Sequence, residues 1–404
     1  MTAMPRLLIS RSNFSLIAGL STVVLRSVEP SDVLYYSKGP VSLRPQLGLT
    51  EAYNDNIFYS SKENEKADLV STISPGFNLD LGRLEDNHLF LTYEYDQVLY
   101  ADNTRLNTSQ HLLDFATKLE GARLRLEGSD SIHFLSNLIG GGERSSIGDR
   151  NVDSTTYSDN YTLTYEISPK TSAYLGGNYS ATDYEEGIGL YDVNTLTGTA
   201  GFGFKAFPNL AFFGEIYYGQ QAVEPNFAGP KGPHADFVGG FLGARGNFTE
   251  RLTGTLKLGY EDREFSDGTP TPSAPVVEIS LTEKFTEKTS LSLAYARRTQ
   301  SSVQFAAYSY TSDQASIELA QALGNTGKLE ARVGSAFSMN EYEQTPTFAQ
   351  RTDSYWSGYA NLTYHIQTWL KATLGYDYQN FGSDAAGVID YDVNRVTLRV
   401  AVGY

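Results

Sequence analysis

Apolar residues fall on every second position through most of this chain. At its end, Val396, Leu398, Val400, Val402 and Tyr404 alternate with Arg395, Thr397, Arg399 and Gly403. Side chains on a strand point alternately to its two faces, so such a segment has one oily side and one wet side. The same dyad recurs in Leu69, Ile73, Phe77 and Leu79; in Leu163, Tyr165 and Ile167; in Leu252, Leu256, Leu258 and Tyr260; and in Leu370, Ala372, Leu374 and Tyr376. Segments of about ten residues with this period are what a tilted membrane strand requires. Two segments are ambiguous. Gly128, Asp130 and Ser131 blur the alternation over 124–137, and over 235–248 either parity could face lipid.

Connectors of two kinds alternate between the strands. Short ones carry turn chemistry, as at 120–122, 168–171 and 249–251; longer, mostly acidic ones include 54–66, 137–153, 182–192 and 222–235. Short turns at one rim and long loops at the other characterise bacterial barrels, with the short side in the periplasm. The pattern predicts an all-β fold, a transmembrane antiparallel up-and-down β-barrel of about 18 strands, with 16 also compatible. It would occupy residues 41–404. The preceding stretch, with Arg6 and Arg11 before the apolar run 14–25, reads as a signal peptide or a disordered N-terminal segment over 1–30.

Aromatics sharpen this reading, because Tyr and Trp favour the membrane–water boundary. Tyr53, Tyr95, Tyr179, Tyr218, Tyr260, Tyr295 and Tyr378 share parity with their strands' apolar faces near the long loops. Phe204, Phe248, Phe285, Tyr364, Trp369 and Tyr404 would form the opposite girdle. On the wet parity, the predicted lumen-facing residues are Arg44, Glu94, Arg123, Arg125, Glu166, Glu215, Lys257, Lys284, Arg332, Lys371 and Arg399. Both signs occur there in similar numbers, so the net charge of -16 is carried mainly by the loops. Opposite charges on neighbouring strands are expected to pair and stiffen the wall.

The stretch Leu47 to Tyr59 reads LGLTEAYNDNIFY. Its Tyr53, Asn54, Asp55, Asn56, Ile57 and Phe58 resemble the opening strand of the β-barrel porins of the second type, and the resemblance continues diffusely to Tyr404. It implies an outer-membrane conduit, often associated with polysaccharide secretion, and a periplasmic polysaccharide-export protein as partner. Lipid and lipopolysaccharide are the other expected partners.

Composition excludes several chemistries. There is no Cys, hence no disulfide framework, thiolate catalysis or Cys-based metal site. No apolar run is long enough for a helical span. No G-x-S-x-G, HExxH or P-loop occurs, and His88, His111, His133, His234 and His365 have no catalytic setting. No catalytic residue, cofactor or metal ligand is therefore expected, and a chain this acidic is a poor partner for nucleic acid. The expected function is passage of polar solutes, with exopolysaccharide secretion as the finer reading and the loops 137–153 and 222–235 as constrictions. The rivals are a non-conducting structural or adhesion barrel and a barrel hydrolase.

Overall fold

The computed structural model describes residues 34–403 except 83–86, 141–148, 230, 233, 267, 269–273, 303–308 and 343–349. The expected signal segment and Tyr404 thus lie outside the described residues. A three-residue strand, β1 (Tyr36–Lys38), folds back on the start of β2 (Val41–Asn54). Then come β3 (Asp68–Gly82), β4 (His88–Tyr100), β5 (Thr108–Glu120), β6 (Leu124–Asn137), β7 (Val152–Ser168), β8 (Thr171–Tyr184), β9 (Tyr191–Phe207) and β10 (Leu210–Pro225). The second half comprises β11 (Ala235–Asn247), β12 (Leu252–Phe265), β13 (Ala274–Lys284), β14 (Thr289–Ser301), β15 (Ser309–Leu323), β16 (Leu329–Tyr342), β17 (Arg351–Gln367), β18 (Leu370–Ser383) and β19 (Tyr391–Val402).

From β2 onward every strand pairs antiparallel with the next, and β19 pairs with β2 from Arg395↔Asn54 to Val402↔Leu47. That last pairing closes a barrel of 18 strands and leaves no edge. The count and topology agree with the alternation in the sequence. Tight turns such as 169–170, 208–209 and 368–369 join strands at one rim, where β2 begins and β19 ends. The turn between β15 and β16 needs Gly324 and Gly327, whose φ values of 70° and 65° lie in the left-handed region. The opposite rim carries the long loops, so it is the extracellular one.

Curvature separates the two faces of the wall. Side chains on the concave face converge and can reach past their neighbours; those on the convex face diverge. On one parity, hydrogen bonds skip a strand: Tyr174 to Glu215, Tyr217 to Glu261, Lys257 to Glu215 and Arg263 to Gln221. The opposite parity carries the exposed apolar residues, among them Leu49, Ile73, Leu175, Ile216, Leu242, Leu258, Val333, Leu374 and Leu398. The first parity is the lumen, the second the lipid belt. Ordinary globular packing is inverted, as a wall between lipid and water demands.

Both ambiguous segments are resolved by this register. On β6 the even positions, including Gly128 and Asp130, face outward. On β11 the odd ones, including Phe237 and Phe241, face inward.

Candidate functional site

The lumen wall begins with ion pairs. Arg44 on β2 meets Asp80 on β3, and Ser42 donates to the same carboxylate at 3.2 Å. Arg125 lies 3.3 Å from Glu127, Lys257 bridges Glu215 at 3.0 Å and Glu278 at 3.4 Å, and Arg332 bridges Glu318 at 3.2 Å and Glu330. Partly exposed pairs of this kind contribute about 0 to 1 kcal/mol each, so their main effect is to fix the position of charge. Glu94, Glu166, Lys284, Lys371 and Arg399 also lie on the inward parity, the last beside Gly48. Arg123 does not sit on a strand. It occupies the turn closed by the Gly121 N–H bonding to the Leu124 carbonyl, exposed at the periplasmic rim, because the chain must reverse there.

A second device concerns the aromatics. Tyr174 on β8, Gly201 on β9 and Glu215 on β10 stand directly opposite one another; so do Tyr217, Gly239 and Glu261, and again Tyr359, Gly334 and Glu318. In each triplet the ring lies flat over the glycine, where any Cβ would collide with it, and the phenol donates to the glutamate beyond. The first two bonds are 2.8 and 2.9 Å long, and Tyr359 bonds Glu318 in the same way. Phe213, Gly243 and Lys257 repeat the arrangement with a cation above the ring. Phe237 and Phe241 lie over Gly219 and Gly259, with Tyr217 stacked on Phe241 at 5.4 Å. Large side chains that lie along the wall take up less of the bore than extended ones would, and the bonds across three strands stiffen it. The sequence reading missed Phe213, Tyr217, Phe237 and Phe241 as lining residues, since the glycines beneath them are recognisable only once the register is known.

Loops cover part of the extracellular mouth. Ile57 and Phe58 pack with Leu106 and Leu138, while Tyr59, like Tyr355 and Val388, packs against the cluster of Phe381, Tyr391 and Val393. Gly140, just past β6, sits against both Tyr59 and Tyr391. Tyr391 belongs to β19, five strands from β6, or roughly 24 Å around the wall at ~4.8 Å per strand. The loops after β2 and β6 therefore lean inward across the mouth. Burial raises the Tyr59 phenol above its ordinary value, against a smaller lowering by Arg395. Of the two expected constrictions, 137–153 contributes through residues 138–140, with 141–148 outside the described residues. The described part of 222–235 ties to its neighbour instead: Asn226 donates to the Tyr184 and Glu185 carbonyls, and Phe227 packs on Tyr191.

A model of the family described as Putative beta-barrel porin 2 matches residues 190–404. The chain belongs to this porin family. The barrel-porin motif near its start now has a physical role. Asp55 accepts from the backbone N–H and the side-chain amide of Asn394 at 2.7 Å each, and Asn56, fully buried, donates to the Asp392 carbonyl at 2.9 Å and the Ser60 carbonyl at 2.7 Å. These bonds continue the β2–β19 seam beyond its last backbone pair and turn Ile57 and Phe58 inward.

No curated protein matches this porin-family chain. Among solved structures it is similar to the outer membrane protein opdK from Pseudomonas aeruginosa, at 10% identity and TM-score 0.45, covering 90% of this chain and 99% of that one. OccAB4 from Acinetobacter baumannii gives 11% identity and TM-score 0.44 over 89% and 98% of the two chains. OccK9 from P. aeruginosa gives 14% and 0.45 over 90% and 98%. At these scores the closed strand ladder itself carries the fold.

The outward aromatics sit as follows. Tyr53, Tyr179, Tyr218 and Tyr260 are exposed on the lipid parity, and Tyr95, Tyr295 and Tyr378 share it. Trp369 lies in the turn between β17 and β18. Several of these phenols are anchored. Tyr218 donates to Asp236 at 2.7 Å, Tyr295 to Asp313 at 2.6 Å, Tyr376 to Asn394 and Tyr378 to Asp392 at 2.7 Å each, and Tyr93 bonds the His111 Nδ1 at 2.9 Å. Every partner is on the adjacent strand, two positions nearer the loop rim than the residue opposite the tyrosine. They mark the level at which lipid gives way to water.

Proposed function

We propose that the protein is an aqueous conduit for polar solutes across the bacterial outer membrane, and that extended glycans are the class it passes. The observation that carries this reading is the flat-lying aromatic triplet. It lines the lumen with carboxylates and, at Phe213, a cation, and holds the ring bulk against the wall of a barrel wide enough for water. The glycan class rests on the resemblance of the Tyr53–Phe58 motif and on the polar, hydrogen-bonding wall. Lipopolysaccharide outside and a periplasmic export protein at the turn rim are the partners that fit it.

The test is single-channel recording in planar bilayers with barrel folding verified by heat-modifiable migration. Discrete current steps are expected, together with interruption of the current by oligosaccharides. A folded barrel that inserts but gives no steps overturns the conduit. The inward lean of the Tyr59 and Gly140 loops supports a second reading, a mouth closed at rest; deleting residues 57–66 would then raise conductance severalfold.

A further inference from the structure

Most lumenal cations are held by acids, as Lys257 is by Glu215 and Glu278. Lys205, Arg245 and Lys284 make no ion pair among the described residues. All three are exposed on the inward parity, near the periplasmic ends of β9, β11 and β13, on alternate strands. Arg245 is preset: its guanidinium lies over the rings of Tyr174 at 5.5 Å and Phe213 at 5.2 Å. Stacking fixes the plane of an arginine and leaves its N–H donors free for a ligand. Lys205 and Arg245 stand opposite Ala211 from its two sides, so their backbones are about 10 Å apart, twice the spacing of paired strands. The small Ala211 leaves the floor between them clear.

Acids near this arc on the inward parity are Glu166 at the end of β7 and Glu215 and Glu278, both already paired with Lys257, while Glu250 and Glu287 stand in the periplasmic turns. At the other end of the lumen both signs occur. Asp68 and Asp96 face inward near the extracellular rim, Asp353 is held by Arg351 at 2.8 Å, and Arg263, Arg298 and Arg395 share that end. An anion therefore meets cations without acid partners on the periplasmic side and mixed charge at the extracellular end, and low-dielectric walls focus the periplasmic field. A small anion can touch one cation of the arc. A chain whose negative charges recur about every 10 Å can touch Lys205 and Arg245 at once, with the gain that multivalent attachment brings. Lys284, four residues nearer the rim than Ser280, the β13 residue in register with Arg245, meets the chain further toward the periplasm.

We infer that Lys205, Arg245 and Lys284 form an entry site for an anionic, carboxylate-bearing glycan arriving from the periplasmic side. The inference rests on the conduit reading and narrows its solute class. The experiment compares wild type with the triple variant Lys205→Gln, Arg245→Gln, Lys284→Gln in oriented planar bilayers, using hexagalacturonate, monomeric galacturonate and maltohexaose as probes. Hexagalacturonate added on the periplasmic side is expected to interrupt the wild-type current, at concentrations at least tenfold lower than those needed for the variant. The monomer is expected to be a much weaker blocker, and maltohexaose to act equally on both proteins. Equal sensitivity of the two proteins to hexagalacturonate, block only from the extracellular side, or block by maltohexaose as strong as by the acid overturns the inference. The charge-keeping variant Lys205→Arg, Arg245→Lys, Lys284→Arg separates charge from structure: it retains the block, and its failure to do so also overturns the site. A folded wild-type barrel without current steps defeats the conduit reading instead. Equilibrium dialysis of hexagalacturonate against detergent-solubilised wild type and triple variant then decides the site, equal binding rejecting it.

Discussion

Tyrosines on the two faces of this wall use the same phenol differently. Inward, Tyr174, Tyr217 and Tyr359 cross a glycine and bond a glutamate two strands away. Outward, Tyr218, Tyr295 and Tyr378 bond an aspartate on the adjacent strand. Curvature accounts for the difference in reach, and environment for the difference in consequence. The inward rings are nearly or largely buried under neighbouring side chains and tie three strands together. The outward ones are wet at the tip, oily along the ring, and report the membrane boundary.

The inner arrangement depends on an absent side chain, so filling that space should have the largest effect. Gly239→Val would drive the Tyr217 ring off the wall and away from Glu261. Overpacking of this kind costs about 1 to 3 kcal/mol, and the displaced ring narrows the bore. A lowered urea midpoint in lipid vesicles and a reduced single-channel conductance are expected together. Unchanged conductance would show that the flat ring does not keep the bore open.

Removing only the hydroxyl is milder. Tyr217→Phe keeps the ring over Gly239 but deletes a bond to a carboxylate, an interaction worth about 1.5 to 3 kcal/mol when the acceptor is charged. Arg263 still pairs with Glu261 at 3.0 Å, which places the expected loss at the lower end. Conductance should be retained, since nothing enters the bore. The outward counterpart, Tyr218→Phe, should leave the urea midpoint unaltered within error, because water replaces the phenol at Asp236. Equal losses for the two variants would erase the distinction between the faces.

Much of the barrel was legible because a period of two survives any uncertainty about strand ends. The β19 dyad, the strand number, and the turn and loop rims all follow from it. Strand β11 was not legible. Phe237, Val238, Phe241 and Leu242 make both parities apolar, and an aromatic residue alone does not reveal whether it faces lipid or lies flat on a lumenal glycine. The pairs Gly219–Phe237 and Gly259–Phe241 are far apart in sequence and meet only through register. Arg123 was misplaced for a simpler reason: parity extrapolated past the end of a strand has no meaning in a turn. The roof was half legible, in that Ile57 and Phe58 are apolar residues within a polar loop. The neighbouring Tyr59 packs on Tyr391, more than 300 residues away.

Tyr59 belongs to neither face, and its ionisation gives the smallest effect and a further test of environment. It lies in the roof, packed at 5.2 Å on Tyr391, and burial holds its phenol above the ordinary value of 10.0. A proton bound more tightly in the folded roof than in the opened loop leaves roof stability unaffected by this group below about pH 10. Above that, the opened loop ionises first and the roof loses stability as pH rises toward the folded value. Open-channel noise from loop motion should therefore increase from about pH 10 upward in wild type and stay flat in Tyr59→Phe. Wild-type noise that rises instead on acidification would mean that another group, and not the buried phenol, governs the mouth.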